Sequence, residues 1–233
     1  DIEENRALIG SRDGNIAIDY IFDETSLGWV ENHTFTPFKL QSGGRFGYSV
    51  ALLENKAFIG YPGYNQKGEV HVYSFDESTW SKQQIITNDS AEEKSYFGSS
   101  VNAKGNHLAV GSFNGENVNL FGANNGSYVS LQTLSPQNFP GSKFGRSLYL
   151  DENKLVVGAT YGQIAYVYNN NGDQNWKINE VLSSSNRNES ILNSYSPCSV
   201  GSLSNYYKKG GLANGKYPCS GIDFYAFVSA EDM

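Results

Sequence analysis

Short apolar stretches separated by polar turns predict β-strands along most of the chain. In residues 144–176, one apolar run begins at Phe144-Gly145, a second covers 155–157 and a fourth begins at Trp176. The third run, 164–168, alternates large and small apolar side chains, as a pleated strand buried on both faces does. A tight turn that tolerates positive φ, Glu152-Asn153, separates the first two runs. The pattern therefore predicts a unit of four short antiparallel strands.

The same unit recurs toward the N-terminus with a period of about 50 residues. Phe-Gly occurs at Phe46, Phe97 and Phe144, and an Ile-Gly or Val-Gly pair ends at Gly10, Gly60, Gly111 and Gly158. A glycine precedes the third strand at Gly14, Gly68, Gly115 and Gly162, and an aromatic residue opens the fourth at Trp29, Trp80, Tyr128 and Trp176. Such a unit cannot bury both faces of its own sheet, so the copies must stack, and a β-propeller is the usual arrangement.

The predicted fold class is all-β, a β-propeller of four-stranded antiparallel blades at residues 1–43, 45–88, 96–135 and 143–182. The first blade is expected to lack its own first strand, because no Phe-Gly run precedes Gly10. The propeller repeats are expected over 1–190, and a C-terminal segment over 191–233 completes or closes the propeller. Two arrangements of that segment are open. Residues 221–227 resemble 162–168 and favour a degenerate fifth blade, whereas 224–230 could supply the missing first strand of the first blade.

Three of these landmarks resemble a known repeat family. The motif Phe-Gly-x-Ser-Val/Leu at 46–50, 97–101 and 144–148, the Ile/Val-Gly pairs and the Gly-x-Val/Ile strand starts resemble the FG-GAP repeats of integrin α-subunit heads and of many extracellular proteins. The resemblance covers residues 1–182 and implies the propeller fold, with a binding role outside the cell.

The calcium loop of that family is the main departure. Integrin-type repeats have an acidic Asp-x-Asp-x-Asp-Gly loop between the first two strands. Here the same place holds tight turns, at Glu4-Asn5, Glu54-Asn55, Gly105-Asn106 and Glu152-Asn153. A calcium ion needs several converging oxygen ligands, so calcium is not expected at the family position.

Composition excludes some partners. The chain has 233 residues and a net charge of −7, and no cluster of basic residues is evident in the sequence, so nucleic acid is not an expected partner. No apolar run is long enough for a membrane span, and the start does not resemble a signal peptide. Because the sequence begins inside a repeat, a processed or trimmed chain is expected.

The two cysteines, Cys198 and Cys219, both lie in the C-terminal segment. A disulfide between them would close a Gly- and Ser-rich loop and would contribute roughly 3 kcal/mol in the loop-entropy model. We expect this bridge, which implies an oxidising compartment.

No set of catalytic, cofactor-binding or metal-ligating residues is predicted. The three histidines, His33, His71 and His107, fall at unrelated positions of the repeat without neighbours spaced for a metal, so they are expected to be ordinary strand or turn residues. Four Asn-x-Ser/Thr acceptors for N-linked glycans occur at Asn32, Asn88, Asn125 and Asn188, and at least two are expected to be modified if the protein is secreted.

Together these features predict a non-enzymatic, extracellular or cell-surface glycoprotein module with a structural or adhesion role. Its partners would be other proteins or further copies of itself, the latter through strand exchange into fibres or a surface layer. The alternative prediction is a carbohydrate-binding, lectin-like propeller in which aromatic side chains of successive blades stack on sugars.

Overall fold

The computed structural model describes residues 1–136, 140–172 and 175–183. These residues form four four-stranded antiparallel sheets, in each of which the strands follow one another in sequence order. A short 3₁₀ helix, Tyr64–Gln66, lies between the second and third strands of the second sheet. The prediction of an all-β propeller with four-stranded blades is confirmed.

Blade 1 contains β1 (Ile2–Glu3), β2 (Arg6–Ser11), β3 (Ile16–Asp23) and β4 (Gly28–Phe35). Blade 2 contains β5 (Val50–Leu53), β6 (Lys56–Tyr61), β7 (Glu69–Phe75) and β8 (Trp80–Thr87). Blade 3 contains β9 (Phe97–Lys104), β10 (His107–Ser112), β11 (Asn117–Asn124) and β12 (Ser127–Leu134). Blade 4 contains β13 (Phe144–Leu150), β14 (Lys154–Ala159), β15 (Ile164–Asn170) and β16 (Trp176–Ser183).

Blade 1 has a first strand, so the prediction that it lacks one is wrong. In β1, Ile2 pairs with Ala7 and Glu3 pairs with Arg6. Two residues are too few to show an alternating pattern, so no periodicity indicates this strand. The turn that follows has positive φ at Glu4, as the turn of blade 2 has at Glu54. In blade 4 neither Glu152 nor Asn153 has positive φ.

Neighbouring blades pack face to face through apolar side chains. Blades 1 and 2 bury Leu8, Ala17 and Phe35 against Ile59, Tyr61 and Trp80. Two further clusters join blade 2 to blade 3 and blade 3 to blade 4. The phenylalanine of every Phe-Gly pair is fully buried. Burial of these large rings is a main source of the free energy that holds the blades together.

The two glycine landmarks of the sequence are the two sides of one contact between blades. A Cβ atom on Gly60 would lie 2.1 Å from the carbonyl oxygen of Gly98, and one on Gly111 would lie 2.1 Å from that of Gly145. Gly98 and Gly145 also have positive φ, +84° and +82°. We call this the glycine contact. It requires glycine in the second strand of one blade and in the Phe-Gly pair of the next.

The third strand of blade 4 is buried on one face only. Ile164, Tyr166 and Tyr168 are buried against blade 3, whereas Ala165 and Val167 are partly exposed. The expectation that 164–168 is buried on both faces is therefore not met among the described residues, whereas Val72 and Leu120, at the same position in blades 2 and 3, are buried. No blade packs on this side of blade 4 among the described residues.

Several sequence predictions fall outside the described residues. Cys198, Cys219 and Asn188 lie beyond residue 183, as does the segment 191–233 that was expected to complete or close the propeller. Within the described part of the chain, no helix is long and apolar enough to cross a membrane.

Candidate functional site

Two cations and a stacked pair of aromatic rings lie together where blade 3 meets blade 4. The residues are Tyr96, Phe113, Lys143 and Arg146, which we call the cation–aromatic patch. Tyr96 and Lys143 precede the first strands of the two blades, and Phe113 follows β10. Because first strands begin where second strands end, these three positions meet at one end of the propeller.

Local backbone geometry directs these side chains. Tyr96 and Lys143 each precede a Phe-Gly pair and each have positive φ, 59° and 61°, as Arg45 does in blade 2. Because all three residues share this conformation at the same place in successive blades, it is a feature of the repeat. Arg146 lies in a β-bulge of β13 between Phe144 and Ser147, and a bulge re-aims the side chain that it contains.

The aromatic rings are stacked, and the cations lie near one of them. The rings of Tyr96 and Phe113 are 5.3 Å apart between centroids and only 7° from parallel. The Phe113 ring lies 5.6 Å from the Lys143 Nζ and 5.4 Å from the Arg146 guanidinium carbon. Lys143 Nζ is also 5.9 Å from the ring of Tyr161. The patch thus presents positive charge beside flat apolar surface.

Glu116 fixes the backbone beneath Lys143. Its carboxylate accepts hydrogen bonds of 2.6 Å from the backbone N–H groups of both Gly141 and Lys143. Lys143 Nζ donates to the side-chain oxygen of Asn114. Burial lowers the pKa of Lys143, which the Glu116 charge raises and the Arg146 charge lowers further. Glu116 therefore has a structural role, and it positions the lysine.

Neither cation of the patch forms a direct ion pair in the described part of the chain, although the Glu116 charge acts on Lys143. In the described part of the chain, the ion pairs are Arg6 with Asp19, Arg12 with Asp13, and His71 with Glu69. Lys143 and Arg146 take part in none of them. In a chain of net charge −7, two such cations form a local site suited to an anion, and phosphate and carboxylate are the anions that Lys and Arg bind best.

A second polar group, between blades 1 and 2, is sealed from solvent. Glu69, His71 and Tyr73 alternate along β7 and face blade 1. His71 Nε2 lies 2.5 Å from Glu69 Oε1, and His71 Nδ1 lies 3.5 Å from the Tyr73 hydroxyl. All three side chains are buried, so a substrate does not reach them. The prediction that His71 is an ordinary strand residue missed its carboxylate partner two residues away, although i and i+2 share a strand face.

Asp19 is a buried carboxylate at an otherwise apolar position. It is fully buried and lies where blades 2 and 3 have Val72 and Leu120. One carboxylate oxygen pairs with Arg6 and accepts hydrogen bonds from Asn32 Nδ2 at 2.8 Å and Trp80 Nε1 at 2.9 Å. An unpaired buried charge would be strongly unfavourable, so Asp19 needs these partners. Since Arg6 and Asn32 belong to blade 1 and Trp80 to blade 2, the network joins the two blades.

The predicted glycan acceptors lie apart from the patch. Asn125 is exposed at a hairpin tip with a φ of 48°. Asn88 lies in the turn after β8, where its side-chain oxygen accepts a hydrogen bond from Ser90. The Nδ2 atom of Asn32, which a glycan would need, donates to Asp19. Glycosylation at these three positions stays a prediction, and Asn32 is the least suited.

The remaining histidines and the carboxylates form no metal site in the described ranges, where no group of three or more His, Cys, Asp or Glu side chains comes together. His33 packs on Phe35 with ring centroids 4.6 Å apart, and His107 packs on Trp176 at 5.5 Å. Burial lowers the pKa of His107.

Sequence reasoning missed the cation–aromatic patch. Its residues come from three separate connections and one bulge, and only the fold brings them together. A comparison of the repeats could have found part of it. The residue before Phe-Gly is Arg45, Tyr96 or Lys143, and none of these is an ordinary turn residue.

No family model matches the chain, and no curated protein matches it in sequence. Two solved structures are similar in fold. A protein of Lactobacillus plantarum aligns with a TM-score of 0.58 and 14% identity, over 78% of this chain and 54% of its own. A protein of Bacteroides uniformis, named as a proposed 6-phosphogluconolactonase, aligns with a TM-score of 0.55 and 8% identity, over 78% of this chain and 56% of its own.

At these identities the likeness shows a β-propeller-like fold alone, and the chain spans a little over half the length of each neighbour. The name of the second neighbour contradicts the prediction of a non-enzymatic structural or adhesion module, and with it the lectin-like alternative. That prediction rested on the extracellular resemblance, the expected disulfide and the lack of predicted catalytic residues, whereas a protein with a similar fold is named as an enzyme.

Proposed function

We propose that this propeller binds a small anionic sugar derivative at the cation–aromatic patch and acts on it as an enzyme of the lactone-hydrolysing kind. The supporting observation is the placement of Lys143 and Arg146 5.6 Å and 5.4 Å from one face-stacked aromatic ring. A phosphate or carboxylate would bind the two cations, and the apolar C–H surface of the sugar would lie on the rings.

The reaction class is suggested by the neighbour named as a proposed 6-phosphogluconolactonase, an enzyme whose name refers to a phosphorylated sugar lactone. Attack of water on a lactone carbonyl forms a new C–O bond and places negative charge on the carbonyl oxygen. Collapse of this intermediate breaks the ring C–O bond, the ring oxygen leaves as a hydroxyl with a proton from the water, and the acid that forms then ionises. Nearby cations stabilise that charge in the transition state. Lys143 and Arg146 could either hold the phosphate or stabilise the developing oxyanion.

The test is binding of 6-phosphogluconate by isothermal titration calorimetry, with gluconate and inorganic phosphate as comparison ligands. Lys143→Gln and Arg146→Gln should each weaken binding by about tenfold or more, since each removes a charge-assisted hydrogen bond. Lys104→Gln is the matched control, because Lys104 is an exposed cation at the far end of β9. Equal affinity in all three variants and the parent would refute a site at the patch.

Turnover is measured separately, as proton release from 6-phosphogluconolactone in weak buffer. Hydrolysis that falls in both Lys143→Gln and Arg146→Gln, but not in Lys104→Gln, would support the enzymatic part of the proposal. Binding without hydrolysis above the rate of the buffer would remove the lactonase assignment and leave an anion-binding propeller.

We further propose that the repeats are of the FG-GAP type and that the protein is extracellular, with a disulfide between Cys198 and Cys219 and glycans at some of the four acceptors. The glycine contact gives a physical reason for the Phe-Gly motif and so supports the FG-GAP assignment. The intact mass of the native protein, measured before and after treatment with reductant and glycosidase, tests for the disulfide and the glycans. A mass that neither treatment changes would exclude both modifications.

A further inference from the structure

The outer face of blade 4 repeats, position by position, the face that blade 3 buries. In blade 4, Val156 pairs with Val167, and Gly158 pairs with Ala165. In blade 3, the same positions hold Ala109 paired with Leu120, and Gly111 paired with Val118. The blade 3 residues are buried, whereas those of blade 4 are partly exposed.

Blade 4 also has the groups that would make a further glycine contact. Ser49 Oγ donates to the Gly98 carbonyl at 2.9 Å, and Ser100 Oγ donates to the Gly145 carbonyl at 2.6 Å. Ser147 and Gly158 occupy the equivalent positions. A Cβ atom on Gly158 would meet Ser147 of its own blade, but no carbonyl of another blade within the described ranges.

A third group at the same edge completes the pattern. Asn15 Oδ1 accepts a hydrogen bond from the N–H of Phe46, and Glu116 accepts one from Lys143, so each fixes the start of the next blade. Both have positive φ, 53° and 51°, and Gln163 has a φ of 54° at the equivalent position of blade 4. Blade 4 therefore presents a complete acceptor surface for another blade.

We propose that residues 184–233 dock on this face and add a fifth blade. In blades 2, 3 and 4 the two glycine landmarks are 13 residues apart, as at Gly98 and Gly111. The segment contains Val200-Gly201, and the residue 13 positions earlier is Asn188, followed by Ser190 as Gly98 is followed by Ser100.

Asn188 is suited to the glycine position. Asparagine is the side chain that most readily adopts the positive φ required there. Its carbonyl oxygen would accept from Ser147 and lie against Gly158. The segment departs from the pattern one residue earlier, where Arg187 stands in place of the buried phenylalanine. The fifth blade would therefore be held less firmly than the others.

The first test is hydrogen exchange of the full chain, followed by mass spectrometry. Amides of residues 188–202 should exchange at least about tenfold more slowly than those of an unfolded chain. Val167→Asp, on the docking face, should abolish this protection and leave blades 1–3 protected. Val129→Asp is the control, because Val129 is an exposed valine of β12. Unprotected amides at 188–202 in the parent protein would overturn the proposal.

A second pair of variants keeps the test independent of any misfolding caused by Val167→Asp. Asn188→Gly should keep or increase protection of 188–202, and Asn188→Val should reduce it, since a β-branched residue resists positive φ. Equal protection in the two variants would contradict the assigned position.

Sedimentation equilibrium then identifies the occupant. A parent that is monomeric supports the proposal, whereas a dimer that Val167→Asp dissociates would show that a second copy covers the face.

Discussion

Gly111 shows how one residue type is imposed by a contact between blades. It lies in β10, a strand with ordinary extended geometry, so its own backbone does not require glycine. The requirement comes from blade 4, whose Gly145 carbonyl occupies the place where a Cβ atom would lie. The sequence shows the Val-Gly pair, but the reason for it lies 34 residues away, at the other side of the glycine contact.

Gly111→Ala should therefore destabilise the protein by about 2–3 kcal/mol, because the backbone of one blade must shift away from the other. Gly28→Ala is the matched control, since Gly28 also lies in a strand, its φ is ordinary and its nearest neighbour would be 4.0 Å from the new Cβ. Chemical denaturation measures the unfolding free energy of each variant. Similar values for the two would mean that the two backbones of the glycine contact lie farther apart than in the structure.

Asp19 illustrates a residue that sequence patterns place in the wrong environment. It lies between Ile18 and Tyr20, and a charged residue that alternates with apolar ones in a strand is normally expected to face solvent. The register instead aligns it with Val72 and Leu120, inside the interface. Its partners Arg6, Asn32 and Trp80 come from three other strands and could not be identified before the strands were paired.

At the scale of strands, the sequence was informative wherever the repeat was long enough to align. The predicted starts of the third and fourth strands in blades 2, 3 and 4 agree with those of β7, β8, β11, β12, β15 and β16 to within about two residues. The two-residue β1 was missed for lack of a pattern. The cation–aromatic patch was missed because Lys143 and Arg146 meet Phe113 only after two blades have packed.

The strand register can be checked at Phe97, which begins β9. Its side chain is fully buried and contacts Phe121 with ring centroids 6.2 Å apart. Phe97→Ala should lower the unfolding free energy by about 3–5 kcal/mol, the cost of truncating a buried aromatic side chain. Phe38→Ala should have almost no effect, because Phe38 is 96% exposed. A thermal midpoint of Phe97→Ala equal to that of the parent would show that the blade register is wrong.

At the scale of the whole molecule, each interface between blades contains a tyrosine whose ionisation is opposed by burial. Tyr73 lies between blades 1 and 2, Tyr128 between blades 2 and 3, and Tyr168 between blades 3 and 4. Burial raises the pKa of each of the three hydroxyls to about 12, from the ordinary 10.0. Nearby acidic charges add to the effect at Tyr73 and Tyr128.

These shifts predict that the propeller unfolds cooperatively at high pH. A tyrosine with a raised pKa in the folded state keeps its full contribution to stability below pH 10, the unfolded value. Between pH 10 and about 12 the unfolded chain releases protons that the folded chain retains, so stability falls as pH rises.

Near-ultraviolet absorbance of tyrosinate, recorded together with circular dichroism, measures tyrosine ionisation and loss of β-sheet structure in the same titration. We expect a gradual first phase from exposed tyrosines and a steep second phase that coincides with loss of β-sheet signal. Tyr73→Phe should move the second phase to higher pH, because phenylalanine keeps the buried ring and has no proton to lose. A single gradual titration with unchanged β-sheet signal would mean that the tyrosines between the blades are accessible to hydroxide, and that the interfaces open without unfolding.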